Sequence, residues 1–334
     1  MELRVKGLIY VLIVLLLVGV FFLFRKPEVK YVSRSEFLMD TVVTVKIPES
    51  DRSEEIFNAV FTGMEKWDEK LNRMDEDSII ARINNSNKPV KVEEKIFNLI
   101  EAGIKYGDLT EGAYDITIAP LIDLWGFGNS EHRIPSDEEI DEVLHVIDYR
   151  KIEMEKDENT IFLPSGMAID LGGIAKGFIV DQACRILQDN GVESAYINAG
   201  GDIRVLGRKN REQLWQIGIR KPREENEIFD DYILGLADGS IATSGDYERF
   251  FIEDGIRYSH LIDPRTGYQT REMISASIYA PTTLEADVYS TAVFIMGWMD
   301  AKEFISSNPD IEGFLVSKDK KWTSSGFKKL MVNK

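Results

Sequence analysis

The hydropathy of this chain changes character twice in its first fifty residues. Gly7 to Phe24 reads GLIYVLIVLLLVGVFFLF, an apolar run of 18 residues without a charge. As a helix rising ~1.5 Å per residue it covers roughly 27 Å, enough for the hydrocarbon core of a bilayer. Bulky Phe22, Leu23, Phe24 and Arg25 stand where a small-x-small cleavage site would be, so the run reads as an uncleaved signal anchor. Arg4 and Lys6 before it and Arg25 and Lys26 after it leave its orientation open. Residues 1–6 are then a short tail, 7–24 a transmembrane anchor and 25–35 a polar tether. Residues 36–334 follow as one domain, with no repeat or low-complexity tract.

Inside the domain the pattern alternates between strand and helix periods. TVVTVKI (Thr41 to Ile47) alternates as a half-buried strand. From Ser53 to Met74, Ile56, Phe57, Val60, Phe61, Met64, Trp67 and Leu71 recur at helical spacing. Ser136 and Glu139 form a capping box ahead of Ile140, Val143, Leu144 and Ile147. SAYINAGGDIRVLG, LWQIGI and ISASIYA are strand-like and separated by glycine or polar turns. Strands and helices do not alternate regularly, which predicts an α+β domain built on antiparallel sheet with flanking helices.

Composition narrows the function. Lys and Arg number 40 against 57 Asp and Glu, a net charge of −17, which disfavours a nucleic-acid backbone as partner. The single cysteine, Cys184, excludes an intramolecular disulfide framework, a Cys-rich metal site and a lipid-modified cysteine near the start.

Candidate chemistry lies in three glycine-rich or polar segments. In IDLGGIAKGFIVDQACRIL, Asp170 precedes Gly172 and Gly173, and a helix follows that carries Lys176. Two glycines let a ligand approach the backbone, and a helix N-terminus offers N–H groups to an anion. The segment is neither a Walker A loop nor G-x-G-x-x-G, and it also reads as a tight strand-to-helix turn. In LEADVYSTAVFIMG, Asp287 and Thr291 share one helix face. They present either two hard oxygens suited to Mg²⁺ or an Asp cap with a Thr turned back to its own backbone. Of three histidines, His145 sits in an amphipathic helix and His132 in a charged loop with no evident partner. His260 precedes the Asp263–Gly267 turn and is a candidate acid/base or phosphate partner.

Taken in order, MDTVVTVKI, LNRMDEDSIIARIN, YDITIAPLIDLWGFG, IDLGGIAKGFIVD, INAGGDIRVLG, IATSGDYERFF, YSHLIDPRTGY and EADVYSTAVFIMG resemble the successive motifs of the ApbE family of FAD:protein FMN transferases, from Met39 to the TSSGF segment near the end. The resemblance implies an ApbE-like, T-fold-related domain. It further implies Mg²⁺-dependent transfer of FMN from FAD to a threonine hydroxyl of an acceptor flavoprotein, with release of AMP. Family acceptors are extracytoplasmic, among them subunits of Rnf-type and sodium-pumping NADH:quinone oxidoreductase complexes. The domain is therefore expected outside the cytoplasmic membrane.

Carried over by motif, the metal falls to Asp287 and Thr291, with Ser290 near and the Gly173 carbonyl completing the set. FAD falls to Met39, Met74, Ala113, Tyr114, Asp115, Asp170, Lys176 and the backbone at Leu261, and the catalytic role to His260. Two departures stand out. Asp40 replaces the family's usual glycine, a change expected to alter the flavin-side turn. Met74 stands where relatives carry Tyr or other flavin-contacting residues. Because that position bears on whether water competes with threonine, the alternative is a membrane-anchored FAD pyrophosphatase giving FMN and AMP.

Overall fold

Strands β1 (Tyr31–Leu38) and β2 (Thr41–Pro48) form the first hairpin of the computed structural model, which describes residues 29–332 except 129–130, 211 and 225–226. The apolar run Gly7–Phe24 lies outside the described residues. Among those described, no helix is long and apolar enough to cross a membrane. Tyr31 to Ser35, expected within the tether, already pair with β2, and Tyr31 stands opposite Pro48. Leu38 pairs directly with Thr41, so Met39 and Asp40 alone make the turn, with left-handed φ of 55° and 56°. A two-residue turn matched to strand twist requires that backbone. Asp40 thus takes the conformation a glycine adopts freely, whereas for Met39 it is a strain of about 1–2 kcal/mol.

Helix α1 (Ser53–Leu71) buries Ile56, Phe57, Val60, Phe61, Met64 and Leu71, the stripe its spacing predicts. It stops three residues before Met74 because Asn72 turns extended and its side chain accepts the Met74 N–H at 3.0 Å. Then come α2 (Ile79–Asn84), β3 (Val90–Lys91), α3 (Glu94–Leu109), α4 (Ala119–Leu124) and α5 (Asp137–Leu144), the last opened by the Ser136–Glu139 capping box. Strands β4 (Glu153–Glu155) and β5 (Thr160–Phe162) join β3 in a small sheet. Helix α6 (Ala175–Asp189) starts at the double-glycine loop. Hairpins follow as β6 (Ala195–Ala199) with β7 (Asp202–Leu206), and β8 (Trp215–Arg220) with β9 (Ile228–Leu236). After β10 (Gly239–Gly245) come the hairpin β11 (Phe250–Glu253) and β12 (Ile256–Ser259), then β13 (Met273–Ala280). The chain closes with α7 (Thr283–Met296), α8 (Trp298–Ser307), β14 (Glu312–Ser317), β15 (Lys321–Thr323) and α9 (Ser325–Leu330).

Eight strands form one sheet in the order β1-β2-β6-β7-β10-β13-β14-β15, and every pairing is antiparallel. Alternation sends Val43, Val45, Ile47, Ile197, Ala276 and Ile278 into the core shared with α1, α6 and α7. The opposite parity, Ile203, Val205, Ile241, Phe314 and Val316, packs under the β8–β9 hairpin and Phe327 of α9. The register also gives the sheet two unlike ends. Met39–Thr41, Gly200–Gly201 and Gly245 lie at one end, and Tyr31, Leu206, Gly239 and Ala280 at the other.

Helix α7 is buried on nearly every side, and its burial includes Asp287 and Ser290. It crosses α6 closely at Gly177: a methyl group there would meet the Thr283 carbonyl oxygen at 2.5 Å and Leu284 Cα at 2.7 Å. Both obstacles are backbone, so the helices would have to part. Gly177→Ala is expected to lower unfolding free energy by about 2 kcal/mol in urea titration, the usual scale of overpacking. An unshifted midpoint would show that the crossing has slack.

Candidate active site

At the sheet end that holds Met39–Thr41 a cleft of about 730 Å³ opens. It is lined by Met39, Met74, Ala113, Tyr114, Asp115, Asp170, Gly173, Lys176, His260, Leu261, Asp287 and Thr291, so one cavity gathers all but one of the residues singled out by motif. The exception, Ser290, lies just beneath. Its hydroxyl is 2.9 Å from the Asp287 carbonyl and 2.8 Å from Ser244 Oγ, so it braces α7 against β10. A second hollow, of about 740 Å³ beside Trp215, contains none of these residues.

The charged centre forms where α6, β7 and α7 meet. Lys176 Nζ lies 3.1 Å from Asp202 Oδ2, and the Gly177 N–H donates to Asp287 Oδ2 at 2.9 Å. Burial first, then the Asp202 carboxylate, raise the Asp287 carboxyl to about 7 against the lowering pull of Lys176 and the Gly177 N–H. Burial alone would push the Lys176 ammonium down, but Asp202 and Asp287 outweigh it and hold it above its ordinary value. One ammonium, part-exposed to the cleft, thus faces two buried carboxylates.

The double-glycine loop is fastened from behind. Asp170 Oδ1 accepts the Gly172 N–H at 2.6 Å, and Asp170 Oδ2 accepts from Arg73 Nε. Arg73 also reaches both oxygens of Asp123, at 2.7 and 3.1 Å, and so ties the segment after α1 to α4 and to the loop. Held there, Gly173 faces α7. A methyl group on it would sit 3.1 Å from Tyr114 Cε2 and 3.7 Å from Thr291 Oγ1. The Tyr114 hydroxyl is buried with no hydrogen-bond partner, and burial, then Asp287 and Asp170, keep it protonated far above its usual range.

No group of three or more His, Cys, Asp or Glu among the described residues can hold a metal alone. One carboxylate, the Thr291 hydroxyl and the carbonyls of the Gly172–Gly173 loop are hard oxygens in small number. That suits Mg²⁺, which keeps waters and takes further oxygens from a phosphate. The cleft wall carries seven carboxylates (Asp40, Asp68, Asp115, Asp170, Asp202, Glu248, Asp287) against three cations (Arg73, Lys176, Arg249). An anionic substrate therefore needs added positive charge to enter. The residues fit the ion.

His260 lines the same cleft. Its backbone N–H donates to the Arg249 carbonyl at 3.0 Å, and its ring Nδ1 lies 3.2 Å from the same oxygen. A carbonyl only accepts, so Nδ1 carries the proton and Nε2 keeps a lone pair. Burial first, then Arg249 and Lys176, lower its pKa to about 4, leaving the ring neutral at pH 7. His145 bonds the Asp141 carbonyl at its helix end and is structural. His132, expected to lack a partner, stacks on Phe251 with ring centres 5.0 Å apart.

Other expected contacts turn out to be engaged within the protein. The Asp115 carboxylate accepts from the Thr117 N–H and hydroxyl, both at 2.7 Å, and from the Tyr149 N–H at 3.2 Å, so it organises the Ala113–Asp115 turn. The Met39 N–H donates to Asp68 at 3.1 Å, which ties the strained turn to α1. Met74 is partly exposed at the rim. Sequence reasoning missed Arg73, Asp202, Ser244 and Arg249. Asp202 had a signal, since it directly follows the Gly200–Gly201 turn, but nothing local marked its partner.

A family profile described as the ApbE family matches residues 39–315. The chain is 30% identical over 328 residues to the FAD:protein FMN transferase of Haemophilus influenzae, covering 92% of this chain and 94% of that one. The Treponema pallidum FAD:protein FMN transferase is 29% identical over 320 residues, covering 90% and 88%. Among solved structures, the ApbE protein of Thermotoga maritima superposes with a TM-score of 0.85 at 34% identity, covering 91% of this chain and all of that one. The flavin transferase ApbE of Vibrio cholerae gives 0.81 at 29% identity, with 91% and 100% covered. With its motifs gathered in one cleft and a profile match over most of its length, this chain belongs to the ApbE family.

Proposed function

We propose that this protein transfers FMN from FAD to a threonine hydroxyl of an acceptor protein and releases AMP. The observation that carries the reading is the part-exposed Lys176 set against the buried Asp202 and Asp287, beside Thr291 and the Gly172–Gly173 loop. It is a cation-poor, oxygen-rich corner in which a pyrophosphate becomes stable only together with Mg²⁺. Asp287, Thr291 and the Gly173 carbonyl would hold that ion, with Ser290 supporting α7 from behind. When bound, Mg²⁺ supplies the charge that neutralises the pyrophosphate and stabilises the departing phosphate.

The chain's own groups do the rest. Lys176 adds its ammonium to the substrate's phosphates, and the glycine loop lets them approach the backbone. His260 Nε2 takes the proton of the acceptor hydroxyl. The hydroxyl oxygen forms a bond to the FMN-side phosphorus, the anhydride P–O bond breaks, and AMP leaves with the electron pair. Tyr114 offers an unpaired O–H to an oxygen in the site.

We further propose that Gly7–Phe24 anchors the protein in the cytoplasmic membrane with the domain outside, where Rnf-type or sodium-pumping NADH:quinone oxidoreductase subunits are the acceptors. The sheet supports this arrangement. The chain comes in at Tyr31, at the end away from the cleft, and β1 at ~3.4 Å per residue separates the two by about 27 Å.

Three outcomes are expected. First, intact-mass analysis of an Rnf-type acceptor domain incubated with the protein, FAD and Mg²⁺ should show an added FMN; free FMN and AMP without the adduct would make the protein a pyrophosphatase. Asp287→Asn keeps an acceptor for the Gly177 N–H but loses the charge, and should nearly abolish the Mg²⁺-dependent product. Second, His260→Asn should retain FAD affinity while the single-turnover rate falls roughly 10²–10⁴-fold. The acid limb that His260 sets in the wild type should lie near 4 rather than at the ordinary 6.5. The unfolded ring gains its proton first as pH falls, so the same group should cost stability between those values. Near wild-type transfer by His260→Asn would remove it from the mechanism. Third, protease added to intact cells should digest the domain, and complete protection would place it inside.

A further inference from the structure

Hairpin β11–β12 grows directly out of the catalytic wall. Its two feet, Arg249 and His260, both line the cleft and are joined by the His260 N–H to Arg249 carbonyl bond of 3.0 Å. At the base of the hairpin one row of its side chains is packed down. Phe251 stacks on Tyr258 with centres 5.1 Å apart and meets Phe127 at 5.8 Å, while Tyr258 meets Trp125 at 5.6 Å. The alternate row should then be polar if it met only water. Instead Phe250 is 36% and Ile252 59% exposed, and the Arg257 guanidinium lies 3.6 Å from the Phe250 ring centre. Among the described residues the hairpin is a two-stranded sheet with no third strand beside it.

We infer that this outward row is where the acceptor protein docks, an inference that rests on the transferase reading above. A transferase acting on a protein must bring a polypeptide hydroxyl to His260, and the polypeptide has to cross the rim from which the hairpin rises. Ile252 is three residues from the foot at Arg249, about 10 Å along the strand, within the reach of a short extended segment whose hydroxyl enters the cleft. An open strand edge and an apolar row are the two features by which extended peptides are held. Arg257 supplies the one charge in the row, positive in a chain of net charge −17. The occupant that fits is an extended acceptor segment, apolar against Phe250 and Ile252 and acidic near Arg257.

Phe37, 74% exposed beside the Met39–Asp40 turn at the cleft end, serves as the comparison. With the Rnf-type acceptor domain at saturating FAD, Ile252→Asp is expected to lower kcat/KM at least about tenfold, mainly through KM. FAD dissociation and melting temperature should stay at wild-type values, and Phe37→Asp should leave kcat/KM unchanged. Direct titration of the acceptor domain against FAD-free protein should weaken in parallel for Ile252→Asp, a readout that needs no turnover. Unchanged acceptor affinity in Ile252→Asp, or a loss carried by Phe37→Asp instead, overturns the docking surface. A wild type that binds the acceptor but moves no FMN overturns the transferase reading and leaves the binding comparison to decide the hairpin.

Discussion

One ammonium placed between two buried carboxylates is the constraint around which this fold is organised. Lys176 opens α6, Asp202 opens β7 and Asp287 lies in α7, so three elements must converge for the ion pair to exist. Convergence demands the close α6–α7 crossing at Gly177, whose N–H in turn donates to Asp287. A buried charge without compensation costs several kcal/mol, and here the account is left one positive charge short if both carboxylates ionise. Burial first, and then the neighbouring Asp202 carboxylate, raise Asp287 to about 7. A cation entering beside Thr291, as proposed, would remove the shortfall and let an acidic protein hold an anionic substrate at this corner.

Around that centre the cleft is stiff where ligand oxygens would be placed and strained where the flavin side is expected. Arg73 holds Asp170 and Asp123 at once, so the loop presenting Gly173 is braced by a planar, bidentate group rather than by packing alone. The Met39–Asp40 turn keeps its left-handed backbone because eight paired positions of β1 and β2 and the Asp68 carboxylate over-determine it. Aspartate at position 40 is therefore a conservative change in backbone terms and a consequential one in charge, since it adds a carboxylate to a wall already rich in them.

What could be read from the sequence was whatever is local. The α1 stripe, the Ser136–Glu139 box, the glycine loop into α6 and the Asp287–Thr291 pair are all written in residues within a turn or two of one another. Partners chosen by tertiary crossing were not legible: the Gly177–Asp287 bond spans 110 positions and the Arg73–Asp170 pair 97. The same reason misplaced the start of the domain. Tyr31 to Ser35 look like tether until β2 lies beside them. Asp115 adds a role the motif did not reveal: it lines the cleft, and its carboxylate also accepts from Thr117 and Tyr149 and so organises the turn.

The electrostatics of His260 constrain how such a site can drive its chemistry. Arg249 and Lys176, the cations that suit a pyrophosphate, are also two of the groups that depress the imidazole to about 4. A base so weak stays neutral at any physiological pH, yet it draws little free energy from accepting a proton. Phosphoryl transfer tolerates that exchange, because its loose transition state asks for little nucleophile activation and much stabilisation of the leaving phosphate. In the proposed reaction the fold would divide its resources accordingly. The charges along α6, β7 and α7 would meet the leaving group, and the neutral His260 ring would have only to take a proton late. Strengthening the base by removing a neighbouring cation would weaken the hold on the phosphates, so position rather than basicity is what the Arg249 carbonyl secures for His260.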